Sequence, residues 1–150
     1  MKVYLGSDHG GFKLKENIKK FLRKKGYKVY DKGNLKLVMS DDYPDYAYKV
    51  AKAVADSKGV AKGVLFCGSA EGVCIAANKV KGIRAVAVWN QKNAKLSRQH
   101  NNANVLCLSG WDLKPDKAEK IVLAWLETDF TYAPRHVRRI KKIAGIEKHG

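Results

Sequence analysis

The chain has 150 residues, 45% of them hydrophobic, which is enough to bury the core of one domain spanning residues 1–150. Its three cysteines form no CxxC pair, and no apolar run is long enough for a signal peptide or a membrane span, so we expect a soluble, cytoplasmic protein without disulfides or structural zinc. The formal charge of +16 invites a nucleic-acid partner, but only six of the 30 basic residues are arginines, and dispersed lysines favour a solvated surface over a recognition groove.

Short apolar runs alternate with helical patterns in the first half of the chain. Strands are predicted over residues 2–7, 27–31 and 63–67, and helices between them end at Gly26 and Gly59. The first helix carries its apolar residues at helical spacing. Its lysines are predicted to lie on the solvated polar face; they are Lys13, Lys15, Lys19 and Lys20.

The same alternation continues in the second half. Strands are predicted over residues 83–89 and 104–108, and helices over residues 72–78, 92–100, 115–127 and about 134–147. Strands that alternate with helices predict an α/β fold, a Rossmann-like three-layer sandwich with a five-stranded parallel sheet of order 2-1-3-4-5 and helices on both faces. We expect the last helix to pack on the domain or on a dimer partner.

Two small, polar turns are predicted to be neighbours in this fold. Ligands of doubly wound sheets bind at the carboxyl ends of strands where the winding direction reverses, which is between strands 1 and 3 in this order. Those two strand ends carry Gly6-Ser7-Asp8-His9 and Cys67-Gly68-Ser69. The sequence therefore predicts a ligand site at this edge of the sheet.

Cys67 is either a buried structural thiol or a reactive one. A small-residue turn follows it, and amides that open a helix favour the thiolate, which could act as a base or a nucleophile. Ser69 and the amides of residues 70–72 could donate hydrogen bonds to an oxyanion. Neither GxxxxGK[ST] nor GxGxxG occurs, so nucleotide binding has little support.

Two histidines and an arginine pair add candidate groups. His9 and His100 fall in or beside predicted strand-end loops, and each is either structural or catalytic. Arg135 and Arg139 lie four residues apart, on one face of a helix near its start. That spacing suits a phosphate or carboxylate, although a basic solvated turn is the alternative.

Five motifs resemble, in order and spacing, the type B ribose-5-phosphate isomerases, a family that includes galactose-6-phosphate and allose-6-phosphate isomerases. The motifs extend over nearly the whole chain and are GSDHGGFKLKE (residues 6–16), DYPDYA (42–47), CGSAEGVCIAANKVKGIRAV (67–86), LSRQHNNANVLCL (96–108) and RHVRR (135–139). The resemblance implies a Rossmann-like homodimer or tetramer that isomerises a sugar phosphate in the pentose phosphate pathway, without cofactor or metal.

The resemblance also implies a role for individual residues. Cys67 matches the base that moves a proton between C1 and C2 through a cis-enediolate, and Ser69 with the loop amides around Gly68 and Gly72 matches the groups that stabilise it. His100 matches the residue that opens the furanose ring. The remaining matches are Asp8 and Asn101 for hydroxyl groups, and His9, Arg135 and Arg139 for the phosphate. His100 and Asn101 are expected to come from the partner chain.

Three residues depart from the family pattern. Ala70 replaces a glycine of the CGTGxG loop, and it is strained if that position has a positive φ. Glu71 adds a carboxylate that we expect to face solvent. Trp111 stands in LSGWD where the family commonly has an arginine that reaches phosphate, so it is a candidate substrate contact or an interface residue.

The sequence thus predicts an aldose–ketose isomerase, with ribose 5-phosphate as the leading substrate. Two alternatives stay open. Trp111 and Glu71 allow the same chemistry on a hexose phosphate such as allose 6-phosphate or galactose 6-phosphate. A non-catalytic scaffold that binds a sugar phosphate or nucleic acid is the other alternative, although a pure binder would need no base at Cys67.

Overall fold

The computed structural model describes all 150 residues. It contains five strands: β1 (Lys2–Ser7), β2 (Lys28–Asp31), β3 (Lys62–Cys67), β4 (Ala85–Ala87) and β5 (Val105–Ser109). A short 3-10 turn at His9–Gly11 precedes the first of six helices, which are α1 (Phe12–Lys24), α2 (Tyr43–Asp56), α3 (Glu71–Ala77), α4 (Gln91–Asn101), α5 (Pro115–Glu127) and α6 (Pro134–His149). The predicted alternation of strands and helices is confirmed, and all strand pairs are parallel.

The predicted sheet order is wrong at one edge. The strands run β2-β1-β3-β5-β4, so β5 and not β4 is the neighbour of β3. The reason is the face that α4 covers. Ala94 of α4 lies in the core on the α1 side of the sheet, opposite α3, and a right-handed crossover on that face must turn back toward β3. The helical pattern of α4 does not say which face it covers, so the sequence left this reversal unresolved.

Two apolar layers hold the sheet. On one face α1, α4 and α5 bury a core around Ile18, Ile121 and Trp125. On the other face α2 and α3 pack Val50, Val54 and Val73 against the alternate residues of β3 and β5. Every residue of β5 is buried, as expected for an interior strand with helices on both sides.

Lys15 contradicts the predicted polar face of α1. Its side chain is fully buried, and its Nζ donates to Asp31 Oδ2 at 2.7 Å and to the backbone oxygen of Asn34 at 2.6 Å. Lys19 donates to the same Asp31 oxygen at 2.8 Å. Helical spacing assigned Lys15 to solvent because lysine is rarely buried, but a carboxylate and a carbonyl oxygen at the end of β2 supply the partners that burial requires.

The C-terminal helix is held loosely by its own chain. Only His136 of α6 is buried, whereas Ile143 and Ile146 are exposed. The helix contacts α4 and leaves an apolar stripe uncovered. Whether it also packs on a dimer partner stays a prediction. None of the helices combines the length and apolarity that crossing a membrane requires.

Candidate active site

Cys67 ends β3 at the carboxyl edge of the sheet and is only 4% exposed. Its neighbour in register is Ser109 of β5, a consequence of the corrected strand order. The backbone oxygen of Cys67 accepts a hydrogen bond from Gly110 N at 2.8 Å. Cys67 is therefore almost fully buried where the ends of β1, β3 and β5 meet, a region that we call the crevice.

The loop after Cys67 is tightly bound to the end of β5. Ser109 Oγ donates to the backbone oxygen of Gly68 at 2.6 Å, and Trp111 N donates to the same oxygen at 3.2 Å. The Trp111 indole lies against Gly68 so closely that a β-carbon at Gly68 would collide with the ring, yet Trp111 is 76% exposed. Trp111 thus covers the loop beside Cys67 and also offers a ring face to solvent.

Ala70 has the strained conformation that the departure from glycine predicted. Its φ is +70°, in the left-handed region, and its side chain is fully buried. Glu71 is exposed, as expected, and its amide donates to Ser69 Oγ at 3.3 Å. Gly72 packs against the ring of Tyr43 at the start of α2. The left-handed position in this loop is therefore occupied by alanine instead of the family's second glycine.

The turn after β1 meets this loop directly. A β-carbon at Gly10 would lie 2.7 Å from Gly68 N, so only glycine allows the two turns to approach this closely. Asp8 is 7% exposed and accepts a hydrogen bond from Gly11 N at 3.3 Å. Burial raises the pKa of Asp8, while His9 and the Gly11 amide oppose that rise. The two predicted turns are neighbours, as the switch-point argument required.

Asp41 holds His9, and sequence reasoning missed it. Asp41 Oδ1 accepts from His9 N at 3.0 Å and lies 2.8 Å from His9 Nδ1. This hydrogen bond raises the pKa of His9, against a smaller effect of burial. Burial would raise the pKa of Asp41, but the hydrogen bonds from His9 and Asn34 lower it overall. The pairing favours an imidazolium at His9, which suits an anionic ligand.

A chain of contacts connects this pair to the buried lysine. Asn34 Nδ2 donates to Asp41 Oδ2 at 3.3 Å, and the backbone oxygen of Asn34 accepts from Lys15. The only available sequence signal was the run of turn formers between β2 and α2, which gives no partner for any side chain. Lys15 and Asn34 thus support the position of His9 without reaching the crevice.

Donor atoms of Asp8, His9 and Asp41 lie within 4.8 Å of one another, the only such group that could hold a cation. The hydrogen bond between His9 and Asp41 already uses one atom from each of them. The expectation of a metal-independent reaction remains a prediction.

The other predicted residues gather at the opposite end of the sheet. His100 and Asn101 end α4, which leads into the amino end of β5, and the His100 ring stacks on His136 of α6 with centroids 4.4 Å apart. Arg135 and Arg139 flank His136 on an exposed turn. Burial lowers the pKa of His136, and the positive charge of these arginines lowers it further. A neutral His136 can stack on His100 without adding another cation.

One chain does not bring the two groups together. Cys67 pairs with Ser109 at one end of β5, whereas His100 and Asn101 lie beyond Val105 at the other end. Val105 and Ser109 are four residues apart along β5, so about 13 Å separates the two ends of this strand. The carboxyl end, with Cys67, Ser69, Asp8 and His9, thus lacks the second histidine, Asn101 and both arginines.

Comparisons with known proteins identify the chains that this one resembles. A family model described as ribose/galactose isomerase matches residues 3–143. The ribose-5-phosphate isomerase B of Escherichia coli is 43% identical over 147 residues, 98% of this chain and 97% of that protein. A probable ribose-5-phosphate isomerase B of Mycoplasma genitalium is 44% identical over 146 residues, 97% of this chain and 95% of that protein.

Solved structures also match this chain over nearly its whole length. Ribose-5-phosphate isomerase B of Clostridium thermocellum has a TM-score of 0.95 and 46% identity, with 99% of both chains covered. The Mycoplasma genitalium enzyme, solved with bound ribulose 5-phosphate, also has a TM-score of 0.95, at 44% identity, with 99% of this chain and 97% of that chain covered. Sequence and fold over the whole chain therefore agree, and the chain belongs to the ribose/galactose isomerase family.

Proposed function

We propose that this protein is an aldose–ketose isomerase that interconverts ribose 5-phosphate and ribulose 5-phosphate, a reaction of the pentose phosphate pathway. The observation that carries the proposal is the buried Cys67 thiol at the strand end where the glycine-rich turns of β1 and β3 meet. A relative with the same fold is described with bound ribulose 5-phosphate, which supports this choice of substrate.

Cys67 acts as the base in this proposal. Its thiolate takes the proton from C2 of the open-chain aldose, the electrons of that C–H bond form the C1–C2 double bond, and negative charge moves to the oxygen on C1. The proton of the C2 hydroxyl moves to the oxygen on C1, and the same thiol then returns its proton to C1 while the oxygen on C2 becomes the carbonyl. No electrons leave the substrate, so the step needs no redox cofactor.

The loop after Cys67 stabilises the intermediate. The Ser69 hydroxyl and the amides at the start of α3 donate hydrogen bonds to the enediolate oxygens in a site that Trp111 and the β1 turn shield from water. Glu71 faces solvent, so its charge does not oppose the enediolate. The exposed position of Glu71 removes one of the two objections to ribose 5-phosphate.

The remaining groups bind the two ends of the sugar. Asp8 accepts hydrogen bonds from sugar hydroxyls, and Asn101 can both donate to them and accept from them. His9, protonated through its pairing with Asp41, binds phosphate together with Arg135 and Arg139. His100 opens the furanose ring by moving a proton between the ring oxygen and the anomeric hydroxyl.

We further propose that two copies of the chain complete each site. The partner copy supplies His100, Asn101, Arg135 and Arg139, because a single chain holds them at the wrong end of the sheet. The uncovered apolar stripe of α6 next to these residues gives the copies a surface on which to associate. A homodimer is the smallest assembly that satisfies the geometry.

Mixed subunits test the shared site. Cys67→Ala and His100→Asn chains should each be inactive as homogeneous assemblies, and unfolding and refolding them together should restore activity, since a mixed dimer contains one site with both residues. As a control, wild type is unfolded and refolded together with each variant, which shows how much activity the procedure itself recovers. If the mixture stays as inactive as its parents while that control recovers, the two residues act within one chain and the shared site is wrong.

Trp111 supports a hexose phosphate as the second candidate substrate. Trp111 takes the sequence position where the family commonly has a phosphate-binding arginine, and its exposed aromatic face suits the C–H surface of a sugar ring. Assays with ribose 5-phosphate, allose 6-phosphate and galactose 6-phosphate would separate the candidates. Turnover of none of the three would support a non-catalytic binding module instead.

The variant Trp111→Arg should improve affinity for ribose 5-phosphate, or shift preference toward it, and leave the assembly intact. Size-exclusion chromatography belongs with the kinetics because tryptophan is enriched at subunit interfaces. An intact assembly with unchanged preference among the three sugar phosphates would contradict a role for Trp111 in the pocket. A broken assembly would instead place Trp111 in the interface.

A further inference from the structure

We propose that Arg84 and Arg98 are positioning residues that hold the turn between α4 and β5 and thereby present His100 and Asn101 to the active site. The inference rests on the proposed function of His100. It concerns two arginines outside the crevice and outside the exposed Arg135–Arg139 turn, and it assigns them a mechanical role rather than contact with substrate.

The two guanidinium groups grip three successive residues of the turn. Arg84 Nε donates to the backbone oxygens of Asn101 at 3.0 Å and Asn102 at 3.1 Å, and Arg84 Nη2 donates to Asn102 O at 2.9 Å. Arg98 Nη1 donates to Asn102 Oδ1 at 2.9 Å and to the backbone oxygen of Ala103 at 2.7 Å. The residue that follows Asn101 is therefore fixed through both its backbone and its side chain.

The turn offers these donors carbonyl groups that the end of α4 leaves unpaired. Asn102 has a φ of +46°, the left-handed conformation, where α4 ends. The last carbonyl groups of a helix have no partners within it, and positive charge is favourable near that end. The two arginines provide both the donors and the charge, and they set the direction in which His100 and Asn101 leave the helix.

Both arginines also connect the turn to neighbouring elements. Arg84 N donates to Asn104 Oδ1 at 2.8 Å at the amino ends of β4 and β5. Arg98 Nε donates to the backbone oxygen of Thr128 at 3.1 Å, at the end of α5. The turn is thus connected to the sheet on one side and to α5 on the other.

The arginines have no carboxylate partner, which argues against simple charge pairing. No ion pair in the chain includes Arg84 or Arg98. Burial lowers the pKa of each guanidinium. Taking a guanidinium out of water is costly, and backbone oxygens make the short contacts that offset this cost here. Glu147 favours the charge of Arg84, and Asp129 that of Arg98, only from beyond ion-pair distance. A lysine cannot reproduce these contacts because it lacks the planar fork.

The test uses the restored mixed dimer described above. The Cys67→Ala chain supplies His100 to the one working site, and the His100→Asn chain supplies Cys67. Arg84→Lys placed in the Cys67→Ala chain should lower the restored activity by about tenfold or more, since small displacements of a catalytic group cost that much. The same substitution placed in the His100→Asn chain should change it less than twofold.

Equal losses from both placements would overturn the proposal, because they indicate general damage to the fold. No loss from either placement would overturn it as well. Arg23→Lys is the matched control. Arg23 also donates to a backbone oxygen, that of Val29, but it belongs to α1 and does not contact the turn between α4 and β5. Arg23→Lys should leave the restored activity unchanged in either chain.

A second measurement keeps the proposal testable if the mixed subunits do not restore activity, which would refute the shared site alone. Homogeneous Arg84→Lys protein should lose more of its saturated turnover on the cyclic aldose ribose 5-phosphate than on the open-chain ketose, because only the cyclic sugar needs His100 to open its ring. Thermal unfolding should show that it remains folded at the assay temperature. Equal losses in both directions from folded protein would contradict a role in positioning His100.

Discussion

The two ends of the sheet carry the two halves of the proposed site and are built by different means. At the carboxyl end, turns approach one another backbone to backbone, and Gly10 and Gly68 are required because any side chain would collide. At the amino end, the long side chains of Arg84 and Arg98 hold a single turn through its carbonyl groups. The first arrangement buries a thiol where the turns meet, and the second presents a histidine and an asparagine outward.

This difference indicates what each end can do alone. In the proposed mechanism the crevice supplies the base and the donors for an oxyanion, but only His9 to attract a phosphate. The amino end has cations and a second histidine but no base for carbon chemistry. Changes at the crevice should therefore affect the chemical step, and changes at the amino end should affect binding and ring opening.

The largest effect is expected from breaking the carboxyl end with Cys67→Ala. Isomerase activity should fall by about 10²- to 10⁴-fold, the usual contribution of a general base, while product binding measured by calorimetry stays the same. Only the proton transfer loses a participant. Activity within about tenfold of wild type would refute the role of Cys67.

Breaking the amino end with Arg139→Ala should have a smaller effect. Binding of a sugar phosphate should weaken by about 1.5–3 kcal/mol, the range for hydrogen bonds to charged groups, and binding of the unphosphorylated sugar should hardly change. Lys148→Ala, in the last turn of the same helix, is the control for general loss of positive charge. Equal binding of both ligands by wild type and variant would make Arg139 a surface residue.

The variant Asp41→Asn tests the carboxyl end of the sheet through the pH dependence of phosphate binding. The hydrogen bond from Asp41 raises the pKa of His9 above 6.5, so the imidazolium persists to higher pH and is lost as the pH rises through the raised value. In wild type, KM for the sugar phosphate should rise as the pH passes the raised pKa of His9. In the variant, the same rise in KM should occur at lower pH. Asp42→Asn, whose side chain does not bond His9, should keep the wild-type profile. Coincident profiles for wild type and Asp41→Asn would separate His9 from phosphate binding.

The smallest effect is expected from restoring the family glycine with Ala70→Gly. Relief of the left-handed conformation, worth about 1–2 kcal/mol, is offset by the lost burial of a methyl group and the greater freedom of glycine when unfolded, together of similar size. The free energy of unfolding, measured in denaturant, should change by less than about 1 kcal/mol. Ala70→Val should instead destabilise by about 2 kcal/mol or more, because a branched side chain at this φ is strongly strained. A large gain from glycine would show that the loop is under more strain than its packing offsets.

Some features followed from the sequence alone. Apolar periodicity and glycine stops predicted every strand and helix, because the pattern of burial along an element is local. The meeting of the β1 and β3 turns also followed, since it depends only on parallel strands and their winding. The positive φ of Ala70 was anticipated conditionally, from the family glycine that it replaces.

Other features required the tertiary structure. The position of β5 depends on which face α4 covers, and that choice brings Trp111 onto Gly68. The roles of Lys15 and Asp41 depend on partners that are distant in the sequence. The position of a lysine in a helical pattern does not predict that a carboxylate will bind it. The separation of Cys67 from His100 is likewise a property of the folded chain. Sequence patterns report how each element meets the core, whereas the partners of polar groups depend on how the elements are arranged in space.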